Sequence, residues 1–145
     1  MILACTRFAL ALADSNILRK AESGVSKAMA ENEQAKYLLV LVTTADAEQA
    51  ARIARTLVEE KLAACGNVLS GLRSIFSWQG KIEDTSEALL LLKTRTELFE
   101  ELKKRVLELH SYEVPEVVAL KISAGHQPYL DWILANTRAK PGQAK

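Results

Sequence analysis

The side chains of this sequence best suited to bind a metal ion are two histidines, His110 and His126, and two cysteines, Cys5 and Cys65. No pair of them has Cys-x-x-Cys or His-x-x-x-His spacing, so one chain cannot build a structural zinc site. We take His110 as the first candidate ligand and Cys65 as the second. Each also has a purely structural interpretation, because the C-terminus of a helix favours an imidazolium and a buried thiol behaves as a small apolar side chain.

A second group of large or charged side chains indicates a small polar cleft. We expect Trp78 at a hairpin tip, Tyr112 near a helix end and Trp132 on the last helix. Lys93 ends an apolar strand, where its ammonium group needs a partner, and Glu116 at the start of the final strand is the expected one. These five residues could line a cleft between subunits that holds an anion or a metabolite. The alternative is packing at a subunit interface, where aromatic residues are enriched.

The sequence contains no Gly-rich phosphate loop, nucleophile elbow or metalloprotease helix, and we predict that the protein is not an enzyme. Among its 145 residues, 19 Lys and Arg face 18 Asp and Glu, for a net charge of +1. This balance argues against binding nucleic acid or a membrane surface by bulk electrostatics. No apolar stretch is long enough for a transmembrane helix. The low cysteine content suits a reducing compartment, so we expect a cytoplasmic protein.

The chain divides into three parts by composition. We interpret residues 1–36 as an N-terminal extension, residues 37–137 as one domain and residues 138–145 as a tail. The apolar run over residues 1–13 resembles a poor signal sequence, which leaves targeting as an alternative to the cytoplasmic location. The extension is expected to be a loose segment. Alternatively, translation naturally starts at Met29, and most of the extension lies upstream of the natural protein.

The hydropathy pattern of the domain predicts strand, helix, strand, strand, helix, strand and a short last helix. The predicted strands cover residues 37–42, 65–78, 82–94 and 117–122, and the first and last helices cover residues 47–63 and 128–137. The middle helix is expected to begin at Thr94, with a capping box to Glu97. Gly80 predicts a tight hairpin turn, and Gly66 and Gly71 suggest a bulge or bend. This order is that of a ferredoxin-like split βαβ fold of the α+β class, with an antiparallel sheet and both long helices on one face.

Two of the predicted strands are apolar at consecutive positions, 37–42 and 88–92. Because side chains of a strand alternate between faces, both faces of the sheet carry Leu and Val, although the helices cover only one. Leaving ~400 Å² of apolar area in water forgoes about 10 kcal/mol. We therefore expect further copies of the chain to cover the second face in a closed symmetric oligomer, with the long 72–94 hairpin reaching across to a neighbour.

Five segments give the chain a resemblance to a known family. They are Lys-Leu-Ala-Ala-Cys-Gly-Asn at 61–67, Trp-Gln-Gly-Lys-Ile at 78–82, Leu-Lys-Thr at 92–94, His-Ser-Tyr-Glu-Val-Pro-Glu at 110–116 and Tyr-Leu-Asp-Trp at 129–132. In this order and at these distances, they resemble the CutA divalent-ion tolerance proteins over about 37–137. The resemblance implies a ferredoxin-like protomer, a homotrimer that shares strands between subunits, and a role linked to copper and other divalent cations.

The resemblance also implies a function. It predicts a trimer that binds divalent cations, Cu²⁺ among them, and takes part in metal-ion tolerance. Some family members offer a cysteine and a second histidine where this chain has Val42 and Leu109. Because copper prefers thiolate and imidazole ligands, we expect modest binding, at a site built from more than one subunit. The alternative is a small-molecule sensor similar to the PII signalling proteins, or a trimeric scaffold or anchoring protein, with incidental metal binding.

Overall fold

A computed structural model of the protein describes residues 36–139. Residues 1–35 and 140–145 lie outside the described residues, and so do the predicted extension, its apolar run, the start at Met29 and most of the tail. The strands are β1 (Tyr37–Thr44), β2 (Cys65–Trp78), β3 (Lys81–Arg95) and β4 (Val118–Lys121), and the helices are α1 (Ala47–Glu59), α2 (Phe99–Leu109) and α3 (Gln127–Ala135). A short 3-10 turn, Thr96–Leu98, precedes α2.

The four strands form one antiparallel sheet in the order β2-β3-β1-β4. The hairpin of β2 and β3 occupies one side of the sheet. The strand β4 returns after α2 to lie beside β1 at the opposite edge. This is the βαββαβ arrangement of the ferredoxin-like fold, and α3 is the additional C-terminal helix. The predicted α+β fold class is therefore confirmed.

Both long helices pack against one face of the sheet, as predicted. Alternate residues of β1 and β3 point to this face, and Val40, Val42, Leu90 and Leu92 are fully buried there. The helices contribute a matching apolar stripe at helical spacing, formed by Ala50, Ile53, Ala54, Leu57, Leu102 and Val106. The periodicity of 2 in the strands and 3.6 in the helices thus produces one continuous core.

Two predicted helix boundaries are wrong, for local reasons. The first helix ends at Glu59 instead of residue 63, because Lys61 adopts a left-handed conformation with φ of 55° and the chain turns toward β2. Thr94 does not begin the second helix but lies within β3, where its buried hydroxyl donates to the carbonyl of Leu62 at 2.6 Å. The remaining predicted boundaries shift by one or two residues.

Glycines serve three different purposes in the β2–β3 hairpin. Gly71 has φ of 79° at the register shift between the two strands, which confirms a bulge at that position. Gly66 forms no bulge; a Cβ there would lie only 2.8 Å from the Cβ of Ala54, so the glycine lets α1 lie close to the sheet. At the tip, Gln79 and Gly80 have φ of 49° and 79°, the two positive values of a type I′ turn.

The second face of the sheet is apolar, as the sequence predicted. We call it the open face. The cross-strand pairing shows which side chains share it: Leu39, Leu41, Leu69, Leu89, Leu91, Val118 and Leu120. Leu69 and Leu120 are 49% and 51% exposed. Helix α3 covers only one end of this face, where Ile133 packs with Tyr37. The pairing of β1 with β3 stops at Ala88, so the rest of the hairpin projects about 20 Å beyond the sheet.

Candidate functional site

His110 directly follows α2 and fastens the next segment to the end of β1. Its Nε2 lies 2.8 Å from the carbonyl oxygen of Thr43, and its Nδ1 accepts the backbone N–H of Tyr112 at 3.1 Å. A donor at Nε2 and an acceptor at Nδ1 is the pattern of a neutral imidazole. Both ring nitrogens of this predicted ligand are therefore engaged, and a metal ion would have to displace one of these two bonds.

Two further hydrogen bonds hold the same segment. The hydroxyl of Tyr112 donates to Oε1 of Glu87 at 2.7 Å, and Ser111 Oγ donates to Oε1 of Gln49 at 3.2 Å. Burial, followed by the neighbouring Glu87 carboxylate, raises the pKa of Tyr112 to about 12. Glu87 itself is only 6% exposed. The bonds fix the position of the Tyr112 ring beside the base of the hairpin.

A groove of about 510 Å³ separates the hairpin from this fixed segment. Its lining residues are Phe76, Trp78, Glu83 and Thr85 of the hairpin and Ser111, Tyr112, Glu113 and Val114 of the segment. Phe76 and Glu83 are cross-strand partners, which places both on one face of the hairpin. The structure thus brings together two of the predicted cleft residues, Trp78 and Tyr112.

A second cluster lies near α3, at the other end of the sheet. Cys65 and Lys93 are cross-strand partners, and Cys65 Sγ lies 3.5 Å from the hydroxyl of Tyr129. This contact, together with burial, raises the pKa of Tyr129 to about 12. The ring of Tyr129 stacks on Trp132 with 5.6 Å between centroids. Lys93 donates a hydrogen bond to Oδ1 of Asn67.

Within one chain, the five predicted cleft residues do not share one site. Trp78 and Tyr112 line the groove, whereas Lys93 and Trp132 belong to the cluster near α3. Glu116 is exposed in the segment before β4. The partner of Lys93 is Asn67 instead of Glu116, because Asn67 is a diagonal neighbour two residues beyond Cys65 on the adjacent strand.

The predicted metal ligands also lie apart. His110 is hydrogen-bonded to Thr43 of β1. Cys65 pairs with Lys93 of β3, and Lys93 in turn pairs with Leu39 of β1. Four residues of extended strand separate these two positions of β1, about 13 Å. Between residues 36 and 139, no three His, Cys, Asp or Glu side chains come together as a metal site. The donors of one described chain therefore do not fit a tightly held cation.

Six of the eight residues that line the groove were not among the predicted cleft residues: Phe76, Glu83, Thr85, Ser111, Glu113 and Val114. A signal for the first two was present, because a turn centred on 79 and 80 makes 76 and 83 cross-strand partners. Glu113 carried no such signal. Its position depends on how the hydrogen bonds of His110 and Tyr112 direct the segment after α2.

Comparisons with known proteins agree on one family. The family model described as CutA1 divalent ion tolerance protein matches residues 38–136. The divalent-cation tolerance protein CutA of Thermus thermophilus is 52% identical over 99 residues, which cover 68% of this chain and 96% of that protein. The chloroplastic CutA of Arabidopsis thaliana is 44% identical over 101 residues, covering 70% of this chain but only 56% of that relative. The crystal structure of CutA1 from Oryza sativa superposes with a TM-score of 0.71 at 40% identity, covering 72% of this chain and 96% of that one.

Two further findings concern function class. The name of the Thermus relative describes tolerance to divalent cations and no catalysed reaction. In the described part of the chain, no helix is both long and apolar enough to span a membrane.

Proposed function

Because the chain belongs to the CutA1 divalent ion tolerance family, we propose that it acts as a homotrimer that binds divalent cations modestly and contributes to the tolerance of copper and related ions. The observation that carries this proposal is the open face. Its side chains form a continuous apolar surface, and α3 covers only one end of it. Burial of such a surface between subunits is the usual reason for a permanent oligomer.

The sheet edges support an assembly that shares strands. Strand β2 is 14 residues long and β4 only four, and they are the two edges of the sheet. A long unpaired edge is a template for pairing with another chain. Pairing between two different edges is heterologous, and such contacts form a closed ring when the rotation from one subunit to the next divides a full turn. Closure at three subunits is what the family resemblance implies.

We place the cation site between subunits, because the donors of one chain lie apart. Cys65 is the favoured ligand in this proposal, since its partly exposed thiol has only the weak contact with Tyr129. His110 is the second candidate, and its use requires release of Thr43 or Tyr112. Thiolate and imidazole are ligands that copper and zinc share.

Sedimentation equilibrium and calorimetric titration test the proposal. We expect a mass of three chains, and heats of binding for Cu²⁺ and Zn²⁺ that fall in Cys65→Ser. Zn²⁺ serves as the ion that cannot oxidise the thiol. His126→Ala is the matched control, because His126 caps α3 without a side-chain bond. Single chains at low concentration would overturn the trimer. Absence of heat with any ion would overturn cation binding, and unchanged isotherms in Cys65→Ser and His110→Ala would remove both ligands.

We also propose that the protein is not an enzyme, that residues 37–137 are its functional domain and that it is cytoplasmic. A second candidate function, a PII-like small-molecule sensor or a trimeric scaffold with incidental metal binding, is favoured by the groove beside the hairpin. Its volume of about 510 Å³ falls in the range typical of small-molecule sites. Binding of a small molecule with no effect of divalent cations would favour this second function.

A further inference from the structure

We infer that the groove between the hairpin and residues 111–114 binds an organic cation, an ammonium group carried on a small apolar body. This inference goes beyond the proposed function, because one chain forms the whole groove. It needs neither a metal ion nor a second subunit. The groove combines aromatic rings, unneutralised carboxylates and a wall that is fixed before any ligand arrives.

Aromatic rings provide the first part of the site. Phe76, Trp78 and Tyr112 all line the groove, and these residues are 40%, 42% and 38% exposed. The face of an aromatic ring carries negative electrostatic potential and attracts cations, most strongly for Trp, and sets of such rings bind alkylammonium groups. Three rings around one groove therefore offer both apolar contact and a preference for positive charge.

Carboxylates provide the second part. Glu83 and Glu113 line the groove, and within residues 36–139 neither has an ion-pair partner. The opposite face of the hairpin differs, because Asp84 there forms an ion pair with Arg73 at 2.6 Å. No Lys or Arg is among the lining residues of the described structure. A positive ligand would supply the missing countercharge.

A fixed wall provides the third part. The bonds from Tyr112 to Glu87 and from Ser111 to Gln49 hold one side of the groove in place. A site that is already formed loses little free energy to ordering when the ligand binds. A bare metal ion fits less well, since no three His, Cys, Asp or Glu side chains of the described residues are close enough to share an ion. An organic cation instead needs one carboxylate and the rings.

Three probes of similar size and different charge test the inference by calorimetric titration of the full chain: benzylammonium, benzyl alcohol and benzoate. We expect benzylammonium to bind with a Kd on the order of 1 mM, benzyl alcohol to bind several-fold more weakly and benzoate not to bind. Glu83→Gln should weaken benzylammonium about 2- to 5-fold, and Trp78→Ala about 5-fold or more. Trp78→Phe keeps a ring and should retain most of the affinity.

Matched controls lie on the opposite face of the hairpin. Asp84→Asn removes a carboxylate next to Glu83 in sequence, and Ile75→Ala removes an exposed apolar side chain; both should leave the Kd unchanged. Equal binding of benzyl alcohol or benzoate would overturn the inference, and so would equal losses in Glu83→Gln and Asp84→Asn. Absence of saturation by benzylammonium well above the expected Kd would also overturn the inference. This holds even where the cause is a neighbouring subunit that fills the groove. None of these outcomes depends on whether Cu²⁺ or Zn²⁺ binds.

Discussion

Replacing Leu120 by glutamate should dissociate the assembly and leave the chain folded. Leu120 lies in β4 opposite Leu39 on the open face, and 51% of it is exposed in one chain. In a single subunit the new carboxylate can therefore remain in water. In the assembly it would be enclosed against the apolar side chains of a neighbour.

The size of the effect follows from burial. Full burial of a leucine side chain is worth about 1.5–3 kcal/mol. Roughly half of Leu120 is still wet in one chain, so its burial in the assembly contributes about 1 kcal/mol per subunit and about 3 kcal/mol per trimer. Enclosing an unpaired carboxylate costs several kcal/mol more in each subunit. For one subunit alone these two contributions exceed about 4 kcal/mol, which weakens its assembly by more than about a thousandfold.

Sedimentation velocity over a dilution series measures this change, and circular dichroism checks that the chain is folded. Leu107→Glu is the control, because Leu107 is 50% exposed but lies on α2, on the helical side of the sheet. We expect folded single chains for Leu120→Glu and unchanged assembly for Leu107→Glu. Wild-type sedimentation of Leu120→Glu, or equal dissociation of both variants, would refute the role of the open face.

Three other predictions concern stability. Gly66→Ala should lower the free energy of unfolding by about 1–3 kcal/mol, since the added Cβ meets Ala54 at 2.8 Å; an unchanged denaturant midpoint would contradict the close approach. Tyr112→Phe leaves the buried Glu87 carboxylate without its donor and should cost about 1–3 kcal/mol, whereas a neutral effect in the same titration would mean that water replaces the hydroxyl. The pKa values of Tyr112 and Tyr129 are both raised from 10.0 to about 12, so their contribution is present below pH 10 and is lost as the pH rises toward 12. Thermal melts across this window should show falling stability, less steeply in Tyr112→Phe, and equal slopes would contradict the assignment.

Much of the fold was accessible from the sequence because its signals are local. The consecutive apolar residues of β1 and β3 predicted both the core face and the open face, since neighbouring side chains of a strand point to opposite faces of the sheet. The turn at Gly80 fixed the hairpin, because two residues with positive φ determine the register of both strands. The end of α1 was missed, because a lysine in a left-handed conformation at position 61 has no propensity signal.

The candidate site was less accessible, because it depends on contacts between distant parts of the chain. Thr94 has the sequence pattern of a helix cap, but the carbonyl of Leu62 engages its hydroxyl from 32 residues away. Lys93 was assigned a charged partner, whereas a neutral amide on the adjacent strand, Asn67, satisfies it. Each side chain had several chemically sensible partners. Only the strand register determined which of them lay within reach.

The sign of the charge in the groove shows how that dependence bears on function. The expected cleft paired Lys93 with Glu116 and was to hold an anion or a metabolite. In the structure Lys93 lies near Cys65 instead, and the groove retains Trp78 and Tyr112 beside Glu83 and Glu113. The structure takes Lys93 and Glu116 out of this site and brings Glu83 and Glu113 in, so the charged lining changes from neutral to negative and attracts a cation instead of an anion. The ligand class therefore follows from strand register and from the hydrogen bonds of one short segment, and a titration with benzylammonium and benzoate reads that sign directly.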